Sequence, residues 1–84
     1  DFTNSRLLNT IGNLVLKSNE NLEWAIEIFK INVQLYPEDG NLWDSLGDGY
    51  KASNLKENAI KSYKKAIELG YEDSQKKLTE LIKN

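Results

Sequence analysis

Eighty-four residues allow one small domain, and a 39% hydrophobic share gives it a core, although a lone core of this size is marginally stable. Without histidine or cysteine, the chain cannot build Ser-His-Asp or Cys-His catalysis, a histidine-ligated metal or a disulfide staple. The formal charge of −2 lacks the basic excess that nucleic acid selects, and no apolar run approaches a membrane span.

The chain begins at Asp1, contains no methionine and opens without a signal-peptide pattern, so the expectation is a piece of a longer or processed protein. Residues 1–39 hold three basic and six acidic side chains, residues 40–84 eight and seven. That asymmetry is too small to name a partner.

Apolar spacing predicts five helices. The first runs from about 4 to 17, where Leu8, Ile11, Gly12 and Val15 fall at i, i+3, i+4 and i+7. The second, about 21 to 36, is apolar on two sides. Leu22, Ala25, Ile26, Phe29, Val33 and Tyr36 form its core stripe, and Trp24, Ile28, Ile31 and Leu35 form a second stripe nearly opposite.

Pro37 with Glu38-Asp39-Gly40 breaks the chain. The third helix, about 41 to 53, carries NLWDSLGDGY, whose Trp43, Leu46, Gly47 and Tyr50 share one face. A mid-helix glycine costs roughly 0.5–1 kcal/mol against alanine, so Gly47 implies a close partner, with Ala59 the expected opposite number. Gly49 carries the same cost with no packing reason in the sequence.

The fourth helix covers about 56 to 69, with Gly70 as its C-terminal cap. Asp73 or Ser74 caps a last short helix, whose Leu78, Leu81 and Ile82 are expected to cover helices three and four.

Shifting the chain by 34 residues sets 17–39 over 51–73, and eight of those 23 positions are identical. Leu8, Ile11, Gly12 and Val15 match Trp43, Leu46, Gly47 and Tyr50 at an offset of 35, which requires one extra residue around 18–21. A 34-residue period with W-x2-L-G-x2-Y, then A-x3-F, then proline is the tetratricopeptide signature. Trp43, Leu46, Gly47, Tyr50, Ala59, Tyr63 and Ala66 carry it here, Pro37 closes the first copy, and Gly70-Tyr71 stands in place of the second proline.

The chain therefore resembles a pair of tetratricopeptide repeats, at 4–39 and 40–72, followed by a capping helix at 73–84. The resemblance implies an all-α fold: two helix-turn-helix repeats in a right-handed superhelical stack, with the last helix covering its open edge. It also implies a non-catalytic scaffold that holds a peptide or partner protein. LLNTIGNLVL with AIEIFKINVQLYPEDGNLWDSLGDGY is further similar to repeat tails of bacterial secreted hydrolases, namely α/β-class serine esterases and penicillin-recognising hydrolases. That second resemblance implies a structural appendage docked on an upstream catalytic domain.

Sites of chemistry weigh less. Asp44 and Asp48 stand one turn apart, yet nothing apolar flanks both, and the expectation is a solvated helix face. GDG does not match a calcium loop, and Lys61, Lys64 and Lys65 lack the arginines or aromatics that phosphate binding would want. No catalytic residue, cofactor or metal is expected.

The resemblance maps a polar groove onto Arg6, Asn9, Asn13 and Lys17 of the first helix, beside Asn41, Asp44, Ser45, Asp48 and Lys51 of the third. The second stripe, Trp24, Ile28, Ile31 and Leu35, is expected to contact an upstream domain or a second copy of the chain. The partners implied are a protein or peptide, with no nucleic acid and no membrane.

Overall fold

A computed structural model describes residues 5–83. Five helices occupy them: α1 (Ser5–Ser18), α2 (Leu22–Leu35), α3 (Gly40–Ala52), α4 (Lys56–Glu68) and α5 (Ser74–Lys83). Each bound falls within a residue of the sequence expectation. Residues 4 and 84, the outer limits expected for the first repeat and the capping helix, lie outside the described residues.

Short polar turns define the helix ends. Asn21 Oδ1 accepts from the Trp24 N–H at 3.2 Å, and Asp39 Oδ1 accepts from the Asn41 N–H at 3.1 Å, so α2 and α3 both start on a side-chain cap. After α4, Gly70 adopts φ +95°, the Gly70 N–H donates to Ile67 O at 2.9 Å, and the Tyr71 N–H donates to Ala66 O at 2.9 Å. This is the Schellman closure expected of a glycine just beyond a helix.

Asn54, at φ 63°, closes α3 in the same way, with Leu55 N–H to Tyr50 O at 2.9 Å. Asn19, at φ 58°, holds the matching place after α1. Asn19 corresponds to Asn54 at 35 residues, while the N-caps Asn21 and Leu55 correspond at 34. Glu20 is therefore the extra residue, placed in a turn where an insertion disturbs no packing.

Helices next to each other in the chain pack against each other, and α1 also touches α3. One core lies between α2 and α3, where Ala25, Ile26, Phe29 and Val33 meet Leu42 and Leu46. Around it, Val15, Leu16, Tyr36, Trp43 and Tyr50 are partly buried. A second core joins α4 to α5 through Ala59, Tyr63 and Leu78, with Tyr50 bridging to the first. Burial of each large aliphatic or aromatic side chain contributes roughly 1.5–3 kcal/mol.

Leu78 is buried and Leu81 partly so, but Ile82 is 54% exposed and outside that core, contrary to the sequence expectation. Ile82 falls one residue beyond the turn of α5 that reaches α4.

The glycines report close approaches. A Cβ on Gly47 would lie 2.5 Å from Tyr63 Cε1, and one on Gly12 would run into the Phe29 ring in the same way. Within each helix pair, an aromatic ring thus lies flat over a glycine of the first helix. The neighbour of Gly47 is Tyr63 rather than the expected Ala59, because the ring reaches one turn further along α4. Gly49 also gains its reason: a Cβ there would sit 3.2 Å from Ile26 Cγ1 and 3.3 Å from Phe29 Cδ2, so it admits α2.

No described helix is long and apolar enough to cross a membrane.

Candidate protein-binding groove

The nine groove residues fall on two stripes, one along α1 and one along α3, and these two helices touch. Arg6, Lys17, Asn41 and Lys51 are exposed, Asn9, Asn13 and Asp48 are partly buried, and Asp44 and Ser45 are buried. Asn9 Oδ1 is out of solvent with no hydrogen-bond partner among the described residues.

The acid pair departs most from the sequence reading. Asp44 is only 5% exposed, not the solvated face expected. Its Oδ1 accepts from Ser74 Oγ at 2.5 Å, and its Oδ2 accepts from Lys77 Nζ at 2.8 Å. Lys77 Nζ also donates to both Asp48 oxygens, at 3.2 and 3.1 Å, and Asp48 Oδ1 accepts from the Tyr63 hydroxyl at 2.6 Å. Two carboxylates of α3 therefore form the socket for α5, and one ammonium serves both.

The electrostatics follow from that arrangement. Burial alone would lower the Lys77 pKa, but hydrogen bonds to Asp44 and Asp48 and their charge outweigh it, and the pKa rises above the ordinary lysine value. Burial first, then the hydrogen bond to Asp48, pushes the Tyr63 phenol well above its ordinary value. Tyr71 moves upward too, through burial and the charge of Asp44. These side chains hold their protons, and the cluster joins α3, α4 and α5.

Sequence reasoning missed Ser74, Lys77 and the Tyr63 hydroxyl as partners of the acids. One signal was available: Ser74 and Lys77 are spaced i, i+3 on α5, complementary to Asp44 and Asp48 at i, i+4 on α3. With the acids engaged by α5, Arg6, Lys17, Asn41 and Lys51 are the exposed members of the expected groove set, and Asn13 is partly buried.

On the second α2 stripe, Trp24, Ile31 and Leu35 are 64%, 49% and 53% exposed, and Ile28 is partly buried. An open cleft of about 690 Å³ separates the α2–α3 turn from the α4–α5 turn, walled by Tyr36, Pro37, Gly40, Leu69 and Tyr71. No group of three acidic, histidine or cysteine side chains among the described residues is placed to hold a metal ion.

Comparison with known proteins follows the same lines. No family model matches the chain. It is 36% identical over 52 residues to the peroxisomal targeting signal receptor of Candida albicans, a match covering 62% of this chain and 9% of that protein. It is 32% identical over 56 residues to the receptor of the same name from Eremothecium gossypii, covering 67% of this chain and 10% of that protein. The chain thus spans about a tenth of the length of these curated relatives.

Among solved structures, a tetratricopeptide repeat domain protein from Salinibacter ruber superposes with a TM-score of 0.74 at 26% identity, over 99% of this chain and 84% of that one. The five-helix stack, its paired aromatic-over-glycine contacts and this superposition together give the chain a tetratricopeptide-like fold.

Proposed function

We propose that this chain is a non-catalytic protein-interaction module that takes a segment of another protein along the polar stripes of α1 and α3. The reading rests on one observation. α1 packs on α2, and α3 on α2 and α4, while Asn13 and Asn41 present amides able to bond a peptide backbone in either direction. The fold and the relatives support it, since both relatives are by name receptors of a targeting signal. A short signal-like segment is the class of partner proposed.

Selection of peptides on the purified chain, followed by amide chemical-shift mapping, tests the reading. Shifts should concentrate at residues 6–17 and 41–51, and Asn13→Ala with Asn41→Ala should weaken the selected peptide at least tenfold. Shifts confined to other surfaces would overturn the proposal.

A second reading, a structural appendage docked on the catalytic domain of a bacterial secreted hydrolase, is favoured by the exposed Trp24, Ile31 and Leu35. In that case a purified esterase or penicillin-recognising domain would shift those residues and leave residues 6–17 unmoved.

A further inference from the structure

The open cleft between the α2–α3 and α4–α5 turns shares only Asn41 with the groove residues. It measures about 690 Å³, and Glu38 and Asp39 line it while no basic side chain does. Both carboxylates are exposed, and neither takes part in an ion pair among the described residues. Tyr36 and Tyr71, each partly buried, add aromatic surface from opposite turns.

The walls are set before any ligand arrives. Trp43 Nε1–H donates to Pro37 O at 2.9 Å and the Asp39 N–H donates to Tyr36 O at 3.2 Å, which fixes the first turn. The Schellman closure around Gly70 fixes the second. The two turns also meet at the base, where a Cβ on Gly40 would lie 2.7 Å from Tyr71 Cβ and 2.9 Å from Ala66 O. A Cβ on Gly70 would meet nothing within 4 Å, so that side of the cleft stays clear.

Tyr71 sets this cleft apart from the repeat pattern. At an offset of 34 it stands over Pro37, so a tyrosine replaces the proline with which the signature closes a repeat. The potential at that wall is negative. Burial first, then the charges of Asp44 and Asp73, raises the Tyr71 phenol, and Glu72 and Asp73 are exposed beside it. Aromatic faces beside carboxylates suit a flat cation. A guanidinium lies against a ring while its N–H fork meets carboxylate oxygens, and a compact, strongly hydrated ammonium does this less well.

We propose that the cleft between Tyr36 and Tyr71 takes an arginine side chain from an exposed segment of a partner protein, with its guanidinium on the Tyr71 ring and its charge paired with Glu38 and Asp39. The groove reading neither requires this site nor fails with it, since a segment can occupy either surface without the other.

The test uses the full chain and two peptides: acetyl-Ser-Gly-Arg-Gly-Ser-amide, and the same peptide with citrulline, the uncharged isostere, in place of arginine. Amide shifts should move saturably at residues 36–40 and 69–71 with the first peptide, and the citrulline peptide should bind at least tenfold more weakly. Glu38→Gln with Asp39→Asn should also weaken the arginine peptide at least tenfold. Asparagine caps a helix as well as aspartate does, so α3 keeps its start in that variant. Tyr71→Leu keeps an apolar side chain over Gly40 and should weaken the arginine peptide roughly two- to fivefold.

Equal affinity for the two peptides would overturn the proposal, as would unchanged binding by the chain carrying E38Q and D39N, or no saturable shift at either turn. Shifts confined to residues 6–17 and 42–51 would overturn it while supporting the groove reading, so the two are judged separately.

Discussion

Lys77 Nζ lies 2.8 Å from Asp44 Oδ2, across 33 residues of sequence, and together with its contact to Asp48 it fastens α5 to α3. Asp44 is nearly out of solvent, whereas the Lys77 side chain is 38% exposed. Removing the ammonium leaves a buried carboxylate with Ser74 alone. Lys77→Met should cost about 1–3 kcal/mol in urea unfolding, below the value for a fully buried pair because water still reaches the lysine. A change under a few tenths would mean that α5 is held by its leucines only.

Those leucines make separate contributions. Leu78→Ala deletes a buried side chain against Ala59 and Tyr63 and should cost about 2–5 kcal/mol. Ile82→Ala, at an exposed position, should stay within about 0.5 kcal/mol. A chain ending at Asp73 should lose several kcal/mol by thermal unfolding, since it forfeits both the apolar contact and the Lys77 bridge. An unchanged melting temperature would show that α5 does not dock.

Alkali should unfold the domain through the same cluster. Tyr63 and Lys77 both bind their protons more tightly in the folded chain than their ordinary values of 10.0 and 10.5 would give. The stability they contribute is complete below those values and is lost as pH rises through the elevated folded ones. The melting temperature should therefore be insensitive to these two groups at neutral pH and fall above roughly pH 10. Tyr63→Phe combined with Lys77→Met should flatten that alkaline limb, and an identical slope in the double variant would refute the assignment.

Acidic C-terminal peptides should not bind the groove. Asn9 and Ser45 stand where carboxylate-gripping repeats present lysine and asparagine, and Asp44 and Asp48 share a single ammonium. The local charge around that end of α3 is therefore negative. Titration with such peptides should give no saturable signal, and tight capture weakened by salt would contradict this.

Helix positions and the paired-repeat order were legible because spacing at three and four residues records which side of a helix is buried. The Trp43, Leu46, Gly47, Tyr50 series could also be matched to Leu8, Ile11, Gly12 and Val15 of the same chain. The second apolar stripe of α2 was readable as a pattern for the same reason; Trp24, Ile31 and Leu35 of it are exposed and Ile28 is partly buried.

The role of Asp44 was not legible, because charge on a helix stripe ordinarily means water. The residues that remove it from water, Ser74 and Lys77, arrive from 30 and 33 positions away. Gly49 was opaque on similar grounds. Its partner Phe29 also fills the space over Gly12, and a single ring serving two glycines on two helices leaves no periodic trace.

The order of packing along the chain has a consequence for how the domain opens. Helices touch their chain neighbours, α1 also meets α3, and α3 receives the α5 latch besides. Loss of α1 or of α5 can therefore proceed without first separating α3 from α2 and α4. Amide exchange should grade outward from α3, the ends opening at a fraction of the free energy needed to unfold the middle. A ligand laid across α1 and α3 would then tie an end helix to the firmest one, and part of its binding energy would appear as slower exchange at the first helix.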